Sequence, residues 1–205
     1  MCVTARTEHR GRLSAERRRA QLLDVTKAIV ARRGFHAVSI EAVARAAGVT
    51  RPVVYGHFGD LAGLLEALVE RESARALAQL AEVLPLRIDG ADARAQLRTA
   101  LRGYLQAVQA DPGTWRLVLM PPEGAPAVLR DRIAQGRSAV VAHLAEAVAP
   151  ALGGGRDSPD PELTARMLSA LADEAARLLL TDPERYGVDR ILATADWFLG
   201  RLTSA

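Results

Sequence analysis

Residues 38–58 read Val38-Ser39-Ile40-Glu41-Ala42-Val43-Ala44-Arg45-Ala46-Ala47-Gly48-Val49-Thr50-Arg51-Pro52-Val53-Val54-Tyr55-Gly56-His57-Phe58, and the run divides into two short helices joined by a tight turn. Ser39 caps a helix that stops before Gly48. Glu41 sits in its first turn, where the helix dipole favours an acid, and Ile40, Val43, Ala44 and Ala47 share one apolar face. Thr50 caps a second helix running to His57, with Pro52 tolerated in the first turn because no backbone donor is missed there. Ala44, Gly48, Val49 and Val54 stand at relative positions 1, 5, 6 and 11. Such spacing has a mechanical reason. A small residue lets two helices cross closely, glycine permits positive φ in the turn, and the valines anchor the second helix on the first. The outer side of 50–57 is then free to enter a major groove. The alternative is a hairpin with a purely structural role.

Working outward, Ser14 is placed to cap a helix through Arg33 that carries Leu22, Val25, Ile29 and Val30 at helical spacing. Gly34 follows as a positive-φ terminator, with Phe35 folding back as the hydrophobic contact. Asp60 caps a longer helix through Leu64, Leu65 and Leu68 towards Leu84, where Pro85 ends it. A linker at 85–90 precedes helical patterns at 91–110, 113–119, 126–150, 161–181 and 187–202, broken by Asp111-Pro112, Pro121-Pro122, the glycine-rich run 153–159 and Asp182-Pro183. No stretch alternates β-branched and polar residues, and there is no internal repeat. The expected fold is all-α. Residues 1–60 are expected to form a three-helix, helix-turn-helix domain with a basic arm, suited to DNA, and 61–205 a larger helical domain.

Charge is divided the same way. The chain of 205 residues carries +3 overall, yet residues 1–60 hold eleven bases against five acids, so the remainder is slightly acidic. A basic head on an acidic body points to a polyanion bound through the head. Hydrophobic residues at 49% and charged residues at 25% exclude wholesale disorder. Cys2 is the single cysteine, which excludes an internal disulfide, a cysteine zinc cluster and a CxxC redox pair. With no apolar run long enough to span a bilayer, a cytoplasmic protein without membrane contact is expected.

The stretch 38–58 resembles the DNA-binding signature of the TetR family of transcriptional regulators. The Ala46-Ala47-Gly48-Val49-Thr50 turn, followed by Tyr55-Gly56-His57-Phe58 and a leucine-rich helix, carries the likeness across about residues 14–68. The resemblance implies that Tyr55 and His57 lie against backbone phosphates while Phe58 is buried. Ser39 and Thr50, at helix N-termini, would also meet phosphates, where backbone amides favour an anion. Arg51, Pro52 and Val53 occupy the start of the recognition helix. Arg51 is the candidate for bidentate contact with guanine, and Pro52 and Val53 for packing on thymine methyls. Arg45 reads equally as a phosphate contact or a solvated helix face. The family usually has lysine just after the fourth-helix cap, where this chain has Leu61, so one phosphate contact is lost. An arm through Arg6, Arg10 and Arg12, with Arg17, Arg18 and Arg19, would compensate.

For the body, the resemblance implies a small-molecule effector enclosed by the helices after residue 90. Tyr104, Trp115, Met120, His143 and Met167 are the candidate lining residues, although core packing explains each equally well. Leu168, Leu171, Ala175 and Leu178, with Ile191, Ala195 and Phe198, form two stripes suited to a homodimer interface of four helices. A dimer is expected because one short recognition helix reads too few base pairs for genomic specificity. His143 and Glu146 lack a third ligand, so no metal is expected. No nucleophile with its base, paired carboxylates or phosphate loop appears, so no enzyme activity and no cofactor are expected. The partners expected are double-stranded operator DNA and an effector, with repression the expected sign. The competing reading is a helical small-molecule-binding protein or enzyme whose hairpin is only structural.

Overall fold

Nine α-helices make up the computed structural model, which describes residues 14–122, 124–153, 155 and 158–202. Cys2 and the arm carrying Arg6, Arg10 and Arg12 lie outside the described residues. In chain order the helices are α1 (Ala15–Arg33), α2 (Ile40–Ala47), α3 (Arg51–Phe58), α4 (Leu61–Ala81), α5 (Ala93–Ala110), α6 (Pro112–Leu119), α7 (Ala127–Leu152), α8 (Pro161–Thr181) and α9 (Val188–Leu202). Short 3-10 turns cover Phe35–Ala37 and Gly90–Asp92. Each helical pattern read from the sequence appears within a few residues of its expected ends. The main differences are at α4, which ends at Ala81 in looser turns before Pro85, and α7, which runs past Pro150 to Leu152.

The caps explain the boundaries. Ser14, Ser39, Asp60, Asp111 and Asp160 each accept a backbone N–H from the first turn of the helix they precede. Gly48 ends α2 at φ 67° and ψ 35°, a left-handed residue that lets the Val49 N–H reach the Ala44 carbonyl at 2.9 Å. Gly34 ends α1 at positive φ and returns its N–H to Val30, placing Phe35 in the core.

Two packing units share α4. In the first, Leu22, Leu23, Ile29 and Val30 of α1 meet Val43, Ala44 and Ala47 of α2, Val54 of α3 and Leu64, Leu68 and Val69 of α4. Leu22, Val43, Val54, Leu64 and Leu68 are fully buried, and each stabilises the unit by about 2 kcal/mol. Ala44 is buried in this core, where a larger side chain would have to displace its close-packed neighbours. Further along α4, Ala76 and Leu80 pack with Tyr104, Leu105, Val108, Trp115, Leu179 and Leu180 of the body. The division drawn at residue 60 therefore falls at a helix cap, while the first half of α4 is part of the head's core. Leu61 also packs on that core, so its position has an apolar role here.

Candidate functional site

The face of α3 turned from the core is open. Arg51, Pro52, Val53, Tyr55 and Gly56 are exposed, and Val54 is fully buried against α2. Tyr55 keeps 48% of its surface, and His57 is half-buried beside the Phe58 ring. Phe58 itself is half-buried, held on the first core and covered by the Arg19 guanidinium 4.7 Å from its centroid. Thr50 is the N-cap of α3 by position, yet its side chain makes no capping bond. Its hydroxyl is left for another acceptor. Ser39 accepts from the Ala42 N–H at 3.1 Å, and its hydroxyl also helps to hold the Glu41 carboxyl below its ordinary range. Arg45 is exposed on α2 without a charged partner among the described residues. Arg51 donates to Glu41 at 2.9 Å across the α2–α3 turn, and that hydrogen bond holds the Glu41 carboxyl below its ordinary range. Reaching a base edge means exchanging Glu41 for the base. Ser39, Arg45, Thr50, Arg51, Pro52, Val53, Tyr55 and His57 thus come together on the α2–α3 hairpin, an arrangement able to meet phosphates with its ends and base edges with its middle.

Behind this hairpin lies a charged knot that sequence reasoning missed. Lys27 of α1 is the only lysine in the chain. Its Nζ lies 2.7 Å from Glu72 of α4, 3.0 Å from Asp111 at the start of α6 and 2.6 Å from the Thr114 hydroxyl. Arg71 pairs with the other Glu72 oxygen at 2.7 Å, and Arg75 with Asp111 at 2.9 Å. The Thr114 hydroxyl lies against both carboxylates and has one proton to give. Gly113 lets α6 come this close, because a Cβ there would stand 2.8 Å from the Lys27 side chain. Glu72 keeps only 2% of its side-chain surface. Burial pushes its carboxyl up, but the hydrogen bonds from Lys27 and Thr114 and the charges of Lys27 and Arg71 outweigh burial, and the net displacement is downward. Asp111 behaves alike, its burial outweighed by Lys27 and Thr114. The knot ties the first helix of the head to α4 and α6 of the body. An isolated lysine in an arginine-rich chain was the visible clue.

The body holds a cavity of about 590 Å³, partly open to solvent, between α4, α5, α6, α7, α8 and α9. Tyr104 and Trp115 line it, with their rings edge to face at 5.1 Å and the Trp115 indole donating to Gln79 at 2.8 Å. Met120, His143 and Met167 do not line it. Met120 is exposed just beyond α6, His143 spends its Nε2 on the Pro85 carbonyl at 2.9 Å, and Met167 points outward with 60% of its surface free. Helical period alone did not fix which side of α7 and α8 faces inward. Both tryptophans of the chain, Trp115 and Trp197, are in the lining. Its polar members include the half-buried Asp173, which accepts from Arg137 at 2.8 Å and from the Tyr104 hydroxyl at 3.4 Å. Burial raises the Asp173 carboxyl despite the Arg137 and Arg177 charges, and burial beside Asp173 raises the Tyr104 hydroxyl.

The stripes expected at a dimer interface also lie differently. Leu168, Ala175, Leu178, Ile191 and Ala195 are half-buried and line the cavity within this chain, as do the more exposed Leu171 and Phe198. The outward apolar face consists of Leu163, Met167 and Leu171 on α8 with Trp197 and Phe198 on α9, each between 45% and 60% exposed. The four-residue spacing 163, 167, 171 was legible in the sequence and marks one side of a helix.

Residues 22–68 match the family model described as bacterial regulatory proteins, tetR family. Over 107 residues, 52% of this chain, the sequence is 30% identical to the HTH-type transcriptional activator FasR of Mycolicibacterium smegmatis, and the match spans 48% of that relative's length. The fold superposes on a TetR-like transcriptional regulator from Rhodococcus sp. RHA1 with TM-score 0.71 and 25% identity, covering 95% of this chain and all of the other. It also superposes on SmeT, the repressor of the Stenotrophomonas maltophilia multidrug efflux pump SmeDEF, with TM-score 0.65 and 24% identity over 86% of this chain and 85% of that one.

Proposed function

We propose that this chain, a TetR-family transcriptional regulator, binds a specific operator as a homodimer through α3 and is released from it when a small molecule fills the body cavity. The observation that carries this reading is the α2–α3 hairpin. Its inner residues are spent on packing, while Thr50, Arg51, Tyr55 and His57 are left on the outer side with groups to give. Coupling follows from α4, which belongs to both cores, and from the Lys27 knot, which fixes α6 to α1. An effector that favours one spacing of the two recognition helices over another changes operator affinity, and the operator changes effector affinity by the same factor. Repression is the sign we favour, by release. The likeness to FasR, named an activator, supports the opposite sign. Transcription from the chain's own upstream promoter with and without the protein separates the two.

Arg51→Ala is expected to weaken operator binding by about 1–3 kcal/mol and to relax preference at one base pair in each half-site. A fluorescence-anisotropy titration against the operator and single-base variants checks it. Unchanged preference would remove Arg51 from base reading, and equal affinity for scrambled DNA at matched salt would turn the reading into non-specific binding.

Dimerisation is assigned to the outward α8–α9 face. The double substitution Leu163→Arg and Met167→Arg, which leaves the cavity lining intact, is expected to halve the mass in light scattering from twice 22.0 kDa and to weaken operator binding at least about 100-fold. A variant that stays dimeric places the interface elsewhere.

A further inference from the structure

We propose that the cavity selects an amphipathic anion, an apolar tail with a carboxylate or similar head, and that Ser73 and Arg132 receive the head. The inference rests on the reading of the cavity as the effector site. The lining is dominated by leucine, alanine, valine and aromatic side chains, with Leu80, Leu101, Trp115 and Val118 among them. Such walls favour an apolar body and cost a buried charge dearly unless that charge is met.

The charged groups in the walls do not balance. Both acids are already answered. Asp173 lies 2.8 Å from Arg137 and 3.9 Å from Arg177, and Glu174 lies 2.9 Å from Arg177. Arg132 lines the cavity with no acidic partner among the described residues. Among the described residues the Arg190 guanidinium meets the Arg185 carbonyl and the Tyr186 ring and no acid. The surplus is therefore positive, and a cationic ligand finds no unoccupied carboxylate.

Ser73 supplies an independent observation. Its hydroxyl is buried in the cavity wall and has no hydrogen-bond partner among the described residues. A buried hydroxyl without a partner costs about 1–3 kcal/mol, which a ligand oxygen would recover. It also stands level with Arg132. Helices α4 and α7 run in the same direction, since Leu68 and Val69 pack with Leu129 in the first core while Leu84 packs with Val141 and Leu144 further along. A Cβ at Gly136 would stand 3.6 Å from Leu77. One turn earlier on each helix come Ser73 and Arg132. A head group at this level takes a neutral O–H donor from α4 and a guanidinium from α7, while the tail runs towards Trp115 and Tyr104.

Titration of the full chain with decanoate, 1-decanol and decyltrimethylammonium, each below its aggregation concentration, tests this through the fluorescence of Trp115 and Trp197. Decanoate is expected to bind at least about 10-fold tighter than either of the others. Arg132→Ala is expected to lose most of that preference and Arg132→Lys to keep most of it, while Ser73→Ala is expected to weaken decanoate and decanol together. Equal affinity for decanol, preference for the ammonium, or an unchanged preference in Arg132→Ala overturns the anionic head. Failure of all three probes to bind overturns the effector-site reading as well. Binding of decanol or the ammonium as tight as or tighter than that of decanoate, with loss of operator binding, overturns only the head-group assignment.

Discussion

Lys27→Met is expected to lower the unfolding free energy by about 3 kcal/mol at pH 7, the low end of the range for breaking a buried ion pair because Arg71 still faces Glu72. Methionine keeps the apolar stem that packs against Gly113 but removes the charge that Glu72 and Asp111 share. A second substitution discriminates this from lost packing. In Lys27→Met with Glu72→Met the uncompensated carboxylate is gone, and most of the stability is expected to return. Urea unfolding followed by circular dichroism measures both.

The pH dependence has a definite sign. Glu72 and Asp111 are held below their ordinary values, so their contribution is complete above the unfolded carboxylate pKa near 4 and disappears as pH falls through the folded values. Without Lys27, burial acts on Glu72 with less opposition, and the folded state takes up a proton more readily. The stability gap between wild type and Lys27→Met is therefore expected to be widest at neutral pH and to narrow below about pH 4. A gap that is constant with pH would show that charge is not the cause.

Local chemistry explains why so much of the head could be read in advance. Ser14, Ser39 and Asp60 act through their side chains on the backbone groups beside them, and Gly48 acts through its positive φ, as the local sequence allows. In the body the helices were legible for the same reason, but their rotation was not. An Ala- and Leu-rich helix presents apolar surface on several sides, as α8 does with Leu168 and Leu178 inward and Leu163 and Met167 outward. Only contacts between distant segments decide which stripe is covered. The Lys27 knot is hidden for a related reason. Lys27 and Asp111 are 84 residues apart, and no local period relates them.

On the DNA-facing side, simultaneous replacement of Thr50 by Ala, Tyr55 by Phe and His57 by Ala is expected to weaken binding to operator and to scrambled DNA alike, by about 100- to 1,000-fold at physiological salt. Each substitution removes one donor that the proposed docking turns to a phosphate and leaves the α2–α3 core untouched, because Val54 and Ala44 carry the packing. A hydrogen bond to a charged acceptor is worth about 1.5–3 kcal/mol, and three of them, reduced by water that replaces them on an exposed face, come to about 3–4 kcal/mol. The effect should differ in kind from that of Arg51→Ala. Phosphates carry no base identity, so the ratio of operator to scrambled affinity stays constant in the triple variant, whereas Arg51→Ala lowers it. Neutral hydroxyls release no counterion, so removing those of Thr50 and Tyr55 leaves the salt slope alone. Titrations of operator and scrambled DNA across a salt series read both the ratio and the slope. A triple variant that retains wild-type affinity would move the phosphate contacts off α3.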